Sequence, residues 1–291
     1  IPLRLVGSEM CIRDRAMDEN GKKQAFIQIL DGKNLNSTYH RFNPEKFEPT
    51  PKIHSLKIEN NFFSQKKVIL NLPEIKGELI FDNLSPWPSS ILSPGIMGPF
   101  SFVPFMECYH GILSMNHSIN GTLMLNGKTL SFDKGRGYME KDWGHSFPEG
   151  YIWMQSNHFS KKETSIKISI AKIPWLRSSF IGFIAGLMIE GRLIQFTTYN
   201  RTILENCSVN QKEVRIVMEN KKYKLSIVAQ REKGTSLAAP ISGFMNGRIE
   251  ESMNAEIHVV LFNKKNNNKI LDDTGLSAGI EVAGKYELLL K

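Results

Sequence analysis

Cysteine is scarce in this chain. There are three in 291 residues and none forms a C-x-x-C pair, which excludes a disulfide framework and a cysteine-rich zinc site. The seven histidines show neither H-x-H nor H-E-x-x-H spacing, so no metal centre is expected. A basic block is also missing. The formal net charge of +8 is spread along the chain, which argues against a nucleic-acid partner but suits an anionic membrane surface. No window longer than about ten residues keeps a helical period, which excludes a helix-rich fold. Gly135-Arg136-Gly137 has no third glycine and no following helix, so it is not a dinucleotide loop. Gly275-Leu276-Ser277-Ala278-Gly279 matches G-x-S-x-G, but polar Asp272-Asp273-Thr274 precedes it and no histidine follows. It reads as a turn.

The composition that remains, 41% hydrophobic, 10% aromatic and 23% charged, is that of a chain able to bury one large β domain or two modest ones. Ile1–Arg15 (IPLRLVGSEMCIRDR) fits neither a signal peptide nor an amphipathic element, and resembles translated adapter sequence. It is expected to play no structural part. The domain reading is therefore an artefactual tag at 1–15, an N-terminal β-barrel-like half at 16–155 and a C-terminal half at 156–291. No targeting signal is read, and the location expected is cytoplasmic or membrane-peripheral.

Alternation carries the rest of the chain. Ile166, Ile168 and Ile170 alternate with Lys167 and Ser169, the pattern of a half-buried strand, and Val214–Met218 and Tyr223–Ile227 repeat it. Asn126-Gly127 and Glu190-Gly191 sit between such runs as hairpin turns. Phe180–Ile189 reads as a core strand. The class is all-β with very little helix. Asn83–Met106 stands apart, 24 residues without a charge. That is long enough to span a bilayer, but Pro86, Pro88, Pro94, Pro99 and Pro104 exclude a spanning helix. It reads as a buried loop or as an apolar lip (Trp87, Ile91, Leu92, Ile96, Met97, Phe100, Phe102) at the mouth of a lipid pocket, offering peripheral membrane contact.

Chemistry is sought in carboxylates on apolar faces. By parity, Val103, Phe105, Glu107, Tyr109, Leu113 and Met115 share one side of a strand, and Ile249, Glu251, Met253, Ala255, Ile257 and Val259 share another. A carboxyl on a buried face loses hydration, keeps its proton to higher pH and can act as an acid in an apolar cavity. The bland alternative is a carboxylate satisfied by a neighbour. The densest stretch is Gly135–Phe159. There Tyr138, Glu140 and Asp142 share one face if extended, and Tyr151, Trp153, Gln155, Asn157 and Phe159 share the next. Rings mixed with a few amides describe either an aromatic core or the wall of a pocket for a flat, largely apolar ligand.

This stretch, GYMEKDWGHSFP followed by YIWMQSN, resembles the signature of the tocopherol cyclase family. So do FIQILDGKN from Phe26, PGIMGPFSFVPFMECYHG from Pro94, IPWL..SF.GF from Ile173, GFMNGRIEESMNAEI from Gly243 and AGIEVAGK from Ala278. The resemblance implies two packed lipocalin-like β-barrel units. It also implies a cofactor-free reaction: an acid protonates a side-chain double bond of a prenylated benzoquinol, and the phenol oxygen traps the cation to form a chromanol. Asp142, Glu107 or Glu251 would donate the proton. Trp143, Trp153 and Tyr138 would line the cation site, with Glu140, Phe147 and Tyr109 beside them, and Gln155 and Asn157 would hold the phenolic head. The expected partner is an apolar or lipid substrate. A non-catalytic lipid carrier and a hydratase, in which water traps the cation, are the alternatives.

Overall fold

A computed structural model of the protein describes residues 16–17, 23–50, 55–144, 146–241 and 244–291. Ile1–Arg15 and His145 lie outside the described residues. Three antiparallel sheets account for the described strands. The first joins β1 (Ala16–Met17), β2 (Lys23–Asp31) and β3 (Asn36–Phe42). The second has eight strands: β4 (Phe47–Thr50), β5 (Ser55–Ile58), β6 (Asn61–Phe63), β7 (Lys67–Asn71), β8 (Ile75–Asp82), β9 (Cys108–Leu125), β10 (Lys128–Ser131) and β11 (Gly135–Gly144). The third has ten: β12 (Gly150–Ser156), β13 (Ser165–Trp175), β14 (Ser178–Ile189), β15 (Arg192–Thr197), β16 (Ile203–Val209), β17 (Glu213–Glu219), β18 (Tyr223–Gln230), β19 (Thr235–Ile241), β20 (Phe244–Asn263) and β21 (Asn268–Gly284). Among the described residues, helix is confined to short 3-10 turns. The fold is all-β and lipocalin-like, and no described helix is long and apolar enough to cross a membrane.

Local chemistry explains the hairpins. Asn126 and Gly127 have φ of 48° and 79°, and Glu190 and Gly191 have 50° and 75°, so both turns place two residues at positive φ. That twist matches the flanking strands β9–β10 and β14–β15. The face Glu251, Met253, Ala255, Ile257 and Val259 of β20 is buried as the alternation requires.

Three sequence readings differ from the structure. Val103–Glu107 is not strand: Gly98–Phe102 is a 3-10 turn, and β9 starts only at Cys108. Five prolines between 86 and 104 leave that segment too few backbone donors to join a ladder. Gly275–Gly279 is not a turn but part of β21, where register shifts against β20 put Ser277 at φ 54° and absorb the irregularity as a bulge. The strand containing Ile166 is not half-buried either, because Ser165 to Ile170 are all buried.

That last departure locates the site. One face of β12 and β13 (Ile152, Met154, Ile166, Ile168, Ile170) faces the main apolar core, with Ala185, Leu187, Ile216, Ile227 and Ile257. A second core lies within the eight-stranded sheet and takes in Ala25, Ile27 and Ile29 of β2. Leu30 instead packs on Leu237 and Met253, so β2 is wedged between the second and third sheets. Gly32 permits that wedge, since a Cβ there would fall 2.5 Å from Met253 Cβ. A third cluster joins Ile112, Met115 and Tyr138 of the eight-stranded sheet to Ile173, Ile184 and Met188 of the ten-stranded one. The outer face of β12 and β13 is therefore covered over Trp153, Gln155, Lys167 and Ser169, all of which are buried.

Candidate active site between the sheets

Strands β9 and β11 pair with Asp142 opposite His110 and Lys141 opposite Gly111, and the register shifts on both sides of Met139. The irregularity at Met139 lets Tyr138 reach along its own strand, and its hydroxyl donates to Glu140 Oε2. Glu140 then crosses to the other sheet. Its Oε1 accepts the indole N–H of Trp153 on β12 at 3.0 Å, and its Oε2 lies 3.9 Å from Lys167 Nζ on β13. His110 Nδ1 sits 2.6 Å from Asp142 Oδ1.

The two carboxyls are driven in opposite directions. Burial pushes the Glu140 pKa up and the negative charge of Asp142 pushes it further. Lys167, His110 and the Tyr138 hydroxyl offset only part of that, so Glu140 holds its proton above the usual carboxylate range. Burial also works against ionisation of Asp142, but the charge and hydrogen bond of His110, the charge of Lys167 and a hydrogen bond from Glu140 outweigh it. Asp142 is held below the usual range. Two neighbouring carboxyls whose pKa values are pushed apart is the arrangement that assigns an acid and its electrostatic partner.

His110, Glu140 and Asp142 offer ligand atoms within 4.8 Å of one another, a spacing a metal ion could use. Their donor set argues for a proton instead. Both oxygens of Glu140 accept from O–H or N–H groups, Nδ1 of His110 is spent on Asp142, and the ammonium of Lys167 stands where a second cation would be repelled.

The remaining expected residues divide. Tyr138 and Trp153 flank Glu140 edge to face, with ring centroids 6.5 Å apart. Gln155 and Asn157 are buried on the same strand or just past it, and Gln155 Nε2 has no hydrogen-bond partner among the described residues. Asn157 Nδ2 reaches Asn116 Oδ1 at 3.5 Å. Phe147 packs against Tyr151 at 5.5 Å, and the Tyr151 hydroxyl donates to Glu281 Oε2 at 2.8 Å. Glu251 is fully buried opposite Glu281. It lies across Gly279 from Trp153: a Cβ at Gly279 would fall 2.9 Å from Trp153 Cζ3 and 3.3 Å from Glu251 Oε1. Trp153 thus stands between two carboxyl sites.

Trp143 is not brought to Glu140. It is 50% exposed, stacks on Tyr109 at 5.5 Å, and carries Lys141 Nζ 5.0 Å above its ring. As the neighbour of Asp142 on a strand, it points the other way. Glu107 lies in the bend before β9, outside the His110 cluster, and its carbonyl accepts from Ser146 N at 3.4 Å. Sequence reasoning missed His110, Lys167 and Glu281. His110 has no local signal, because only strand register sets it beside Asp142, 32 residues away.

Comparison with known proteins gives a family. A family model described as tocopherol cyclase-like matches residues 84–284, which contain every residue of the cluster. A probable chloroplastic tocopherol cyclase of Oryza sativa subsp. japonica is 25% identical over 193 residues, 62% of this chain and 40% of the relative. A chloroplastic tocopherol cyclase of Zea mays is 26% identical over the same shares of each chain. The match thus spans well under half the length of these relatives. Among solved structures, CghA with Sch210972 superposes at a TM-score of 0.52 with 9% identity, covering 90% of this chain and 80% of that one, a likeness of fold alone.

Proposed function

Since the chain belongs to the tocopherol cyclase-like family, we propose that it closes a ring on a prenylated phenol by acid-initiated cyclisation, with Glu140 as the acid. The observation that carries this reading is the raised Glu140 pKa beside an ionised Asp142, with Glu140 bridging from one sheet to Trp153 and Lys167 of the other. Asp142, the first expectation for the donor, is ionised and suits the role of keeping the proton on Glu140. Glu140 delivers its proton to the less substituted alkene carbon. The tertiary cation forms beside the rings of Trp153 and Tyr138, which favour positive charge. The phenol oxygen bonds to that carbon and its proton returns to the Glu140 carboxylate. Bonds and protons balance as an isomerisation, and the reaction calls for no cofactor.

The substrate in this reading is a lipid, and the surface supports a route from a bilayer. Ile91 is 92% exposed, Leu92 80%, Phe102 63% and Leu176 82%. Trp175 lies 5.8 Å from Phe100 and 5.5 Å from Phe105, ring to ring, which joins the hairpin tip at Leu176 to the uncharged 83–106 segment. The charge at that tip is Arg177, so the patch is apolar with a positive edge, as an anionic bilayer surface requires. Behind it the cluster of Trp87, Met97, Met106 and Met115 leads to Tyr138.

Incubating the purified protein with a geranylgeranylated benzoquinol tests the reaction. A product of unchanged mass with a chromanol spectrum is expected, and Glu140→Gln should slow it by about 100- to 10,000-fold. A product one water heavier would make the protein a hydratase. Retained lipid with no turnover would make it a carrier.

A further inference from the structure

The outer face of β12 and β13 carries an ammonium where alternation leads one to expect water. Lys167 is 0% exposed, and it pairs across the strands with Gln155, while Ser169 pairs with Trp153. Directly opposed residues of an antiparallel pair point to the same side with Cβ atoms about 5 Å apart. Lys167 and Gln155 therefore present their polar ends together into the space between the sheets. A lysine head has three N–H donors. One is spent on Ser169 Oγ at 2.6 Å, and the nearest carboxyl oxygen, Glu140 Oε2, is 3.9 Å away, beyond hydrogen-bonding distance. Gln155 Nε2, in a side chain 8% exposed, has no partner among the described residues. A buried cation with spare donors beside an unpartnered amide N–H is costly unless something bearing lone pairs and negative charge fits between them.

We infer that Lys167 and Gln155 form an oxyanion-binding end of the site, which takes the ionisable aromatic hydroxyl of the substrate as its anion beside the acid Glu140. The inference rests on the cyclisation reading for the role of that anion, but the binding site itself stands on the two donors. It changes the order of events. The hydroxyl loses its proton on binding, before the alkene is attacked. In each turnover the C=C π bond breaks, the Glu140 proton forms the new C–H bond, and an oxygen lone pair forms the new C–O bond. The carboxylate left on Glu140 then takes the proton given up by the next hydroxyl as it ionises against Lys167. A hydrogen-bonded, charged partner stabilises the ionised form of a phenol, so the site selects acidic hydroxyls over their ethers.

The probe is 4-nitrophenol, whose anion absorbs visible light, with 4-nitroanisole as the ether that cannot ionise. With the full chain, the bound phenol should be at least roughly tenfold more ionised than free phenol at the same pH, and should bind at least roughly tenfold better than the anisole. Lys167→Met should abolish both differences. Should that variant fail to fold, Gln155→Leu decides the matter by weakening them, and Gln155→Glu by repelling the anion. Anisole binding should stay unchanged in each folded variant. Equal binding of phenol and anisole by the wild-type chain, or full phenolate binding by Gln155→Glu, would overturn the inference. Glu140→Gln should keep the phenolate signal. A chain that binds phenolate but turns nothing over would keep this site and remove the cyclase reading, whereas turnover without phenolate binding would do the reverse.

Discussion

Both faces of β12 and β13 are buried, and they are built from opposite chemistry. The inner face is Ile152, Met154, Ile166, Ile168 and Ile170, packed in the core of the ten-stranded sheet. The outer face is Trp153, Gln155, Lys167 and Ser169, continued by Glu281 and Glu251 on the strands alongside. A core asks only for apolar volume, and the inner face supplies it. The outer face loses hydration without gaining that volume, so its charges and amides weaken the fold unless they are paired or used. The contrast separates what holds this protein together from what it does.

The largest effect expected from the contrast falls on the inner face. Ile168→Ala removes a fully buried side chain from the main core and should cost about 2–5 kcal/mol of unfolding free energy. Its outer-face neighbour Ser169→Ala removes one acceptor from Lys167 and should cost about 1 kcal/mol. Chemical denaturation of both variants measures the difference. Equal losses would mean that the outer face is structural core after all.

A smaller effect should split the outer face itself, through pH. Asp142 titrates lower in the fold than in the unfolded chain, so it contributes stability above its unfolded pKa that is lost as pH falls through its folded one. Asp142→Asn should therefore cost about 1 kcal/mol at neutral pH, since water screens the partly exposed carboxylate, and nothing in strong acid. Glu140 titrates higher in the fold, so its contribution is complete below its unfolded pKa and is lost as pH rises through the folded one. Glu140→Gln, which mimics the protonated acid, should melt no lower than wild type at neutral pH and above wild type in alkali, and match it in acid. Melting curves across pH for the two variants test this. If both were destabilised alike at neutral pH, the acid and its partner would be wrongly assigned.

Much of this was open to a reader of the sequence because it is set locally. Two-residue turns at Asn126-Gly127 and Glu190-Gly191 declare hairpins, and the parity of Glu251 to Val259 declares a buried face. Tyr138, Glu140, Trp153 and Gln155 could be picked out by alternation together with the family resemblance. Lys167 could not. Alternation separates two faces but is silent on what covers each, and the cover here is a sheet made of residues earlier in the chain. His110 was hidden for a related reason, since it meets Asp142 only through the β9–β11 register. Parity also misled where no strand exists, at Val103 to Glu107.

The smallest effect expected concerns the converse anomaly, apolar side chains in water. If Ile91, Leu92 and Leu176 are exposed because a bilayer receives them, their removal should be felt by the bilayer and not by the fold. Each makes little contact with the protein, so Ile91→Ser with Leu92→Ser should leave the melting temperature unchanged. Full burial of one such side chain is worth about 1.5–3 kcal/mol. A lip only partly immersed in the headgroup region should gain less, so the double variant should lose roughly tenfold in partition onto anionic vesicles, measured by flotation. Arg177→Glu should lower partition further on anionic vesicles and leave neutral ones unaffected, because only the former attract its charge. A drop in melting temperature without a change in partition would make the lip part of a protein contact, and the route from bilayer to Tyr138 would close.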